Sequence, residues 1–217
     1  MFLANDLFIF IFNSIKHKKW ENIKYMNILD YILVFFIYSY IGWMCEVIYC
    51  SNGKKAVNRG FVFGPVCPIY GAGLLILLLY LNNINYNPLI VLISGILFPT
   101  ILEYITSFVM EKLFKQKWWD YSNYKFNLNG RICLLNSLLF GMLAVVAIYV
   151  VHPLVLKFLN LLTNTQKLII DISLVTFFVL DLVFTTIQLV NFKKKGREKF
   201  KTHFYESFPY TKKNKYF

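Results

Sequence analysis

The chain has 217 residues, of which 58% are hydrophobic and 16% are charged, compared with roughly 45–50% and about 25% in an ordinary soluble domain. Because this excess lies in long uninterrupted runs and the mean hydropathy is +0.53, the composition predicts an integral membrane protein and excludes soluble enzymes and secreted disulfide scaffolds. The net charge of +12 does not indicate a nucleic-acid partner, since the basic residues lie between and after the apolar runs, where they act as topology signals.

Five apolar runs are long enough to cross about 30 Å of hydrocarbon, which takes ~20 helical residues. They are Ile28–Cys50, Phe61–Leu81, Pro88–Phe114, Ile132–Leu156 and Leu168–Phe192. The sequence therefore predicts an all-α, polytopic transmembrane bundle of about five helices over residues 28–192. Residues 1–27 form an N-terminal tail in which the pattern favours an interfacial helix, and residues 193–217 form a basic tail.

The distribution of lysine and arginine predicts the orientation of these spans. With five spans, 17 basic residues lie on the side that carries the C-terminal tail, and six lie on the other side. The positive-inside rule then places the C-terminus in the cytoplasm and the N-terminus outside, although the lysines near residue 18 run against it. Asparagine- and lysine-rich loops are typical of an AT-rich bacterial genome, so we expect a bacterial cell membrane.

Prolines interrupt two of the predicted spans. Pro65 and Pro68 crowd the start of the second span together with several glycines, so we expect that helix to be broken there. Broken helices at membrane depth are tolerated where they face protein or a water-filled cavity. Pro99 lies four residues before Glu103 in the third span and is expected to free the carbonyl of Gly95 from its usual donor.

Three acidic residues lie more than three positions from either end of a predicted span: Glu46, Glu103 and Asp181. An ionised side chain at mid-helix costs about 2.5–3.5 kcal/mol on insertion scales, so each should face the bundle interior, carry a proton or have a cationic partner. Arg59 and Arg131 are the nearest cations by depth, and the short connection favours a Glu46–Arg59 pair. The alternative is that each carboxylate only fixes helix packing through hydrogen bonds, but three acids away from the span ends favour a shared polar cavity for Glu103 and Asp181.

The loop Lys115–Arg131 is rich in aromatic residues and contains the run Trp118-Trp119-Asp120-Tyr121-Ser122. Aromatic residues commonly mark the membrane interface, but this run is more elaborate than an interface requires and predicts a structured cytoplasmic cap. The candidates for a polar or substrate-binding site are therefore Glu46, Arg59, Glu103, Asp120, Arg131 and Asp181.

These features together resemble one family, the bacterial multi-pass proteins described as ABC-transporter permeases of the CmpB type. The resemblance covers roughly residues 31–190. It is carried by Ile41-Gly42-Trp43 with Glu46, Asn58-Arg59-Gly60 leading to Gly64-Pro65, Cys67-Pro68 and Tyr70-Gly71, Leu102-Glu103-Tyr104 with Thr106-Ser107 and Glu111, Trp118-Trp119-Asp120-Tyr121-Ser122, Asn129-Gly130-Arg131-Ile132-Cys133, and His152-Pro153.

The resemblance implies a permease-like transport component. The sequence has no Gly-x4-Gly-Lys-Ser/Thr phosphate loop, so ATP hydrolysis by that mechanism would require a separate ATPase subunit, and five spans are few enough to favour a homodimer. The alternatives are a membrane scaffold or regulatory subunit and an intramembrane enzyme acting on lipid or peptide, with Glu46 or Glu103 as general base. No hydrolase or metal motif supports catalysis, so we expect no catalytic residues, no metal and no cofactor, and the substrate cannot be inferred from the sequence.

Overall fold

The computed structural model describes residues 26–51, 60–82, 87–114 and 117–195. Within these ranges the chain forms five helices: α1 (Ile28–Ser51), α2 (Pro68–Leu81), α3 (Pro88–Phe114), α4 (Leu134–Leu159) and α5 (Asn164–Lys195). A short antiparallel hairpin of β1 (Asn127–Leu128) and β2 (Ile132–Cys133) lies in the loop before α4. The predicted all-α bundle is confirmed, whereas nearly all of both predicted tails lies outside the described residues.

Four of these helices, α1, α3, α4 and α5, are long and apolar enough to cross a membrane, and α2 is a shorter apolar helix. Large apolar side chains on their outer faces are exposed, for example Leu89 at 62% and Phe177 at 72%. Exposed apolar surface on this scale would be unfavourable in water. The protein is therefore a multi-span membrane protein, and these apolar faces contact lipid.

The segment predicted as the second span is not one continuous helix, as its prolines predict. Helix α2 begins at Pro68, where proline replaces a residue whose N–H would have no helical acceptor. Its 14 residues reach only about 21 Å at 1.5 Å per residue. The preceding residues 60–67, which we name the lead-in segment, are not helical. The lead-in segment ends with a backbone hydrogen bond of 2.9 Å from Cys67 to the carbonyl of Ser39 in α1.

In each of two helical hairpins, α1–α2 and α3–α4, a glycine lies at the contact between the two helices. A Cβ atom on Gly71 would collide with the backbone carbonyl of Phe35 and the hydroxyl of Ser39, while one on Gly141 would lie 3.0 Å from the carbonyl of Leu92. Small residues at these positions allow the helix backbones to approach closely, which favours association in lipid.

The hydrophobic core occupies the half of the bundle where α1, α3 and α5 begin. Its most buried members come from the start of α1, the end of α2, the start of α3 and the second half of α4, namely Val34, Leu77, Leu78, Leu81, Val91, Ile148 and Leu159. The opposite half contains less of this core. The tyrosine–carboxylate pairs of Glu46 and Glu103 lie in that half.

Helix α4 contains a π-helical turn at Ala147–Val151, just before Pro153. Proline lacks an N–H and disturbs the regular hydrogen-bond ladder, and π turns accommodate such disturbances. The hydroxyl of Tyr38 donates a 3.3 Å hydrogen bond to the carbonyl of Ala147, and the fully buried His152 packs beside the Tyr38 ring. His152 is therefore an interior residue of the span.

Candidate functional site

The first carboxylate of the candidate site is Glu46, in the last third of α1. The hydroxyl of Tyr70 in α2 donates a 2.7 Å hydrogen bond to its Oε1 atom. The ring of Tyr70 occupies the space that a side chain at Gly42 would fill. Because Gly42 lies one helical turn before Glu46, the missing side chain allows the tyrosine to reach the acid from the neighbouring helix.

The second carboxylate is Glu103, which lies inside α3 and is only 5% exposed. Its Oε1 atom accepts a 3.0 Å hydrogen bond from the hydroxyl of Tyr121, in the loop after α3. The side chain of Asn136, in the first turn of α4, also hydrogen-bonds to Tyr121. The buried Oε2 atom of Glu103 has no hydrogen-bond partner among the described residues, so this acid retains one open acceptor position.

These two tyrosine–carboxylate pairs lie together. Glu46 is close enough to act electrostatically on both Glu103 and Tyr121, and Tyr70 is close enough to interact with Tyr121. We name Glu46, Tyr70, Glu103 and Tyr121 the two-glutamate site. Helices α1, α2 and α3 and the loop after α3 each contribute one side chain to it.

The two glutamates occupy matching positions in the two hairpins. Gly71 packs against Ser39 of α1, and Glu46 lies seven residues after Ser39; Gly141 packs against Ile96 of α3, and Glu103 lies seven residues after Ile96. Seven residues are about two helical turns, so each acid lies on the partner-facing side of its helix. The same close packing that builds each hairpin also turns its glutamate inward.

The loop that carries Tyr121 is built around an Asn-Gly turn. Asn129 and Gly130 both have positive φ, at 55° and 68°, the signs that a type I′ turn requires. A Cβ atom at position 130 would lie 2.5 Å from Asp120 Oδ1 and from Ser122 Oγ. The backbone N–H of Tyr121 donates to the carbonyl of Gly130 at 2.8 Å, so glycine at this position lets the turn close against the segment that holds Tyr121.

The charge and hydrogen-bond environment of this loop shifts two pKa values. Burial acts to raise the pKa of Asp120, but hydrogen bonds from the hydroxyl and N–H of Ser122, together with Lys117, lower it below its usual range. Burial, followed by the charge and hydrogen bond of Glu103, raises the pKa of Tyr121 well above its ordinary value. Asp120 is therefore an ionised turn residue, and Tyr121 is a stable hydrogen-bond donor.

Arg131 fastens the end of this loop to α3. Its guanidinium forms a 2.5 Å ion pair with Glu111 and a 3.2 Å hydrogen bond to Ser107, while its carbonyl accepts a 2.8 Å hydrogen bond from Trp119 Nε1. Arg131 was expected near the intramembrane acids, but the structure pairs it with Glu111 at the end of the helix.

An aromatic cluster joins the lead-in segment to the same loop. The ring centroids of Phe61, Phe114 and Trp118 lie 5.4–5.7 Å from one another. Phe61 belongs to the lead-in segment, Phe114 ends α3, and Trp118 starts the loop. The cluster supports the expected structured cap on this end of the bundle.

Asp181 contacts the lead-in segment. Its two carboxylate oxygens accept hydrogen bonds from the backbone N–H groups of Phe63, at 3.1 Å, and Gly64, at 2.7 Å. The hydroxyl of Thr185, one turn later in α5, lies 3.3 Å from Oδ1. The acid without an obvious cationic partner in the sequence thus binds the donors that a non-helical backbone leaves free.

The predicted site residues therefore separate into groups. The structure brings Glu46 and Glu103 together, whereas in the loop after α3 Asp120 bonds Ser122 and Arg131 pairs with Glu111. Asp181 contacts the lead-in segment, and the cavity predicted for Glu103 and Asp181 stays a prediction. Arg59 lies outside the described residues, so its predicted ion pair with Glu46 stays a prediction. The tyrosine partners were not identified from the sequence, because each comes from a different element whose approach depends on glycine contacts. Within the described ranges no group of three or more His, Cys, Asp or Glu side chains could hold a metal ion.

Comparison with known proteins identifies the family. Residues 33–186 match the model of the CmpB family, whose description is "Putative ABC-transporter type IV". No curated protein and no solved structure matches the chain. The matched range covers more than two thirds of the 217 residues and includes both glutamates, Tyr70 and the Tyr121 loop. The chain therefore belongs to the CmpB family.

Proposed function

We propose that this protein is the membrane-spanning, permease component of an ABC-type transporter and that a separate ATPase subunit supplies the energy. The family match and the multi-span bundle support this role. The absence of a phosphate loop from the sequence is the reason for the separate subunit. Five helices are few for a complete permease, so we also propose that two copies assemble.

The observation that carries the transport proposal is the two-glutamate site. Two inward carboxyl groups and two tyrosine hydroxyls lie together in a protein whose outer faces are apolar. Polar groups at membrane depth are costly and commonly mark a substrate or ion pathway. The open Oε2 atom of Glu103 suits a cationic or hydrogen-bond-donating group of a substrate.

Cysteine accessibility tests whether this site is hydrated. In a background without native cysteines, Glu103→Cys should react with a small aqueous thiol reagent, whereas Ile105→Cys should not. Ile105 is the matched control, because it lies in the same turn of α3 and its side chain is 52% exposed on the lipid-facing surface. Equal and slow labelling at both positions would count against a hydrated site.

The proposed ATPase subunit would dock on the loop 117–133 at the cytoplasmic end. The loop is attached to α3 through Arg131 and to the two-glutamate site through Tyr121. A movement of the loop on docking would therefore alter the hydrogen bond between Tyr121 and Glu103. Phe126 is 81% exposed in this loop. When the chain is expressed with an ATPase encoded beside its gene, Phe126→Asp should reduce stoichiometric copurification more than Asn123→Asp at a neighbouring exposed position.

The proposed topology places this loop and the C-terminal tail in the cytoplasm and the N-terminus outside the bacterial cell membrane. The 17-to-six division of basic residues supports this orientation. Reporter fusions after Lys195 and within Asn82–Asn87 should report opposite sides. Fusions that report the same side would contradict the span count.

A membrane scaffold is the second candidate, and the contacts of Asp181 favour it. That acid satisfies backbone donors of the lead-in segment, which is a structural role. Glu103→Gln separates the two candidates in a transport or growth-complementation assay. Loss of activity in an inserted, folded protein supports transport, whereas loss of folding together with activity supports the scaffold.

A further inference from the structure

A second polar cluster lies at the other end of the bundle, where α1 and α5 begin. Lys167 Nζ forms a 2.6 Å ion pair with Asp30 Oδ1, and Asp171 follows Lys167 by one helical turn on α5. Asp30, Lys167 and Asp171 are 8%, 6% and 3% exposed. We name these three residues the Asp–Lys–Asp cluster.

The partners of Asp30 are already in place. Its Oδ1 atom accepts from Lys167, and its Oδ2 atom accepts a 3.0 Å hydrogen bond from the backbone N–H of Asn27. The Asn27 side chain returns a matching bond by accepting from the N–H of Asp30 at 3.0 Å. This reciprocal cap at the start of α1 satisfies both oxygens of Asp30.

Asp171 has no such partners. Neither carboxylate oxygen has a hydrogen-bond partner among the described residues, although both are buried. The charged groups that act on Asp171 are Asp30 of α1 and Lys167 of its own helix. One lysine therefore serves two carboxyl groups, and the lysine contact is made to Asp30. A buried, ionised and unpartnered carboxylate would be strongly unfavourable.

We propose that Asp171 is a proton-binding site, which leaves the Asp–Lys–Asp cluster with one negative and one positive charge. A proton fits the geometry better than an alkali-metal ion. Hard cations need about six oxygen ligands, whereas the only unpartnered carboxylate oxygens of the cluster are the two on Asp171. The site lies at the opposite end from the two-glutamate site and does not depend on the transport proposal.

Infrared difference spectroscopy of the full chain in lipid tests this proposal, because a protonated carboxyl group has its own carbonyl band. At neutral pH, the carbonyl band should be weaker in Asp171→Asn than in the unsubstituted protein by the intensity of one carboxyl group. Asp120→Asn is the control, since its acid is an ionised loop residue outside the spans, and it should leave the band unchanged. A band that is equally strong with and without Asp171 would overturn the proposal.

Two further variants test the shared lysine without altering Asp171. Asp30→Asn frees Lys167 to pair with Asp171. Asp171 should then lose its proton, and the carbonyl band should weaken by the intensity of one carboxyl group. Lys167→Met removes the cation, so Asp30 should also take up a proton and the band should rise by about one amplitude. Changes in the opposite directions would contradict a shared counter-ion, and melting of each variant confirms that it is folded.

Replacement of choline chloride by sodium or potassium chloride at constant ionic strength distinguishes the proton from an alkali-metal ion. The band should be the same in all three salts if Asp171 binds a proton. A band that disappears in sodium or potassium, and returns in choline, would show that a metal ion occupies the cluster and would overturn the proposal.

Discussion

The hydroxyl of Tyr121, in a loop outside the membrane-spanning segments, lies 3.0 Å from Oε1 of Glu103, a buried acid within α3. This contact links the cap of the bundle to its interior. Because Tyr121 is held by Asn136 and by the turn at Gly130, a movement of the loop would change the only hydrogen bond that the described residues give the Glu103 carboxylate. In the proposed transporter, docking of the ATPase subunit on this loop would therefore change the two-glutamate site.

Removal of the Tyr121 hydroxyl should destabilise the protein. Tyr121→Phe leaves the buried Glu103 without this donor, and an unsatisfied buried polar group costs about 1–3 kcal/mol. Thermal unfolding in detergent measures the effect. Tyr124→Phe is the matched control, since Tyr124 is an exposed tyrosine of the same loop; similar losses in both variants would contradict a specific role for the Tyr121 hydroxyl.

Loss of the Asp181 carboxylate should loosen the lead-in segment. Asp181→Ala removes the acceptors of Phe63 and Gly64, so hydrogen exchange at these two amides should accelerate and the protein should lose about 1–3 kcal/mol of stability. Thr186→Val provides the control on the same helix, because the Thr186 hydroxyl bonds only its own helix at Leu182. Unchanged exchange at both amides would show that Asp181 does not hold the segment.

Glycine should be required at position 71 but not at position 73. An added methyl group at Gly71 meets the backbone carbonyl of Phe35, which cannot move aside, whereas the nearest atom to one at Gly73 is a leucine methyl 3.7 Å away. Gly71→Ala should cost about 1–3 kcal/mol through overpacking, while Gly73→Ala should cause no loss. Melting temperatures of the two variants in one detergent make the comparison. Equal tolerance would exclude close α1–α2 packing.

The loop turn should weaken in acid. The folded-state pKa of Asp120 lies below its usual value because of Ser122 and Lys117, so its contribution to stability is complete above about pH 3.9 and is lost as the pH falls through the folded-state pKa. Hydrogen exchange at Ser122, measured against pH, should show this acid-dependent opening. Asp120→Asn should remove the dependence, and an unchanged profile in that variant would assign it to another group.

Local patterns were sufficient to predict the bundle. The length of an apolar run alone decides whether a helix can cross the membrane, so α1, α3, α4 and α5 were predicted close to their observed ranges. The break before α2 was also predictable, because Pro65 and Pro68 act on their own backbone. Glu46, Glu103 and Asp181 were predictable for the same reason, since a carboxylate well inside an apolar run is conspicuous without any knowledge of its neighbours. Asp30 and Asp171 lie near the span ends and were not singled out, because their burial depends on how α1 and α5 pack.

The sequence by itself thus determined a multi-span, all-α membrane protein with acids inside its spans. Only the tertiary structure decided what those acids contact: Tyr70 for Glu46, Tyr121 for Glu103 and backbone amides for Asp181. It also paired Asp30 with Lys167, 137 residues later in the chain. Span formation depends on local hydrophobicity, whereas these partners depend on which helix faces can approach closely, and that is set by glycines such as Gly42 and Gly71 packing against a neighbouring helix.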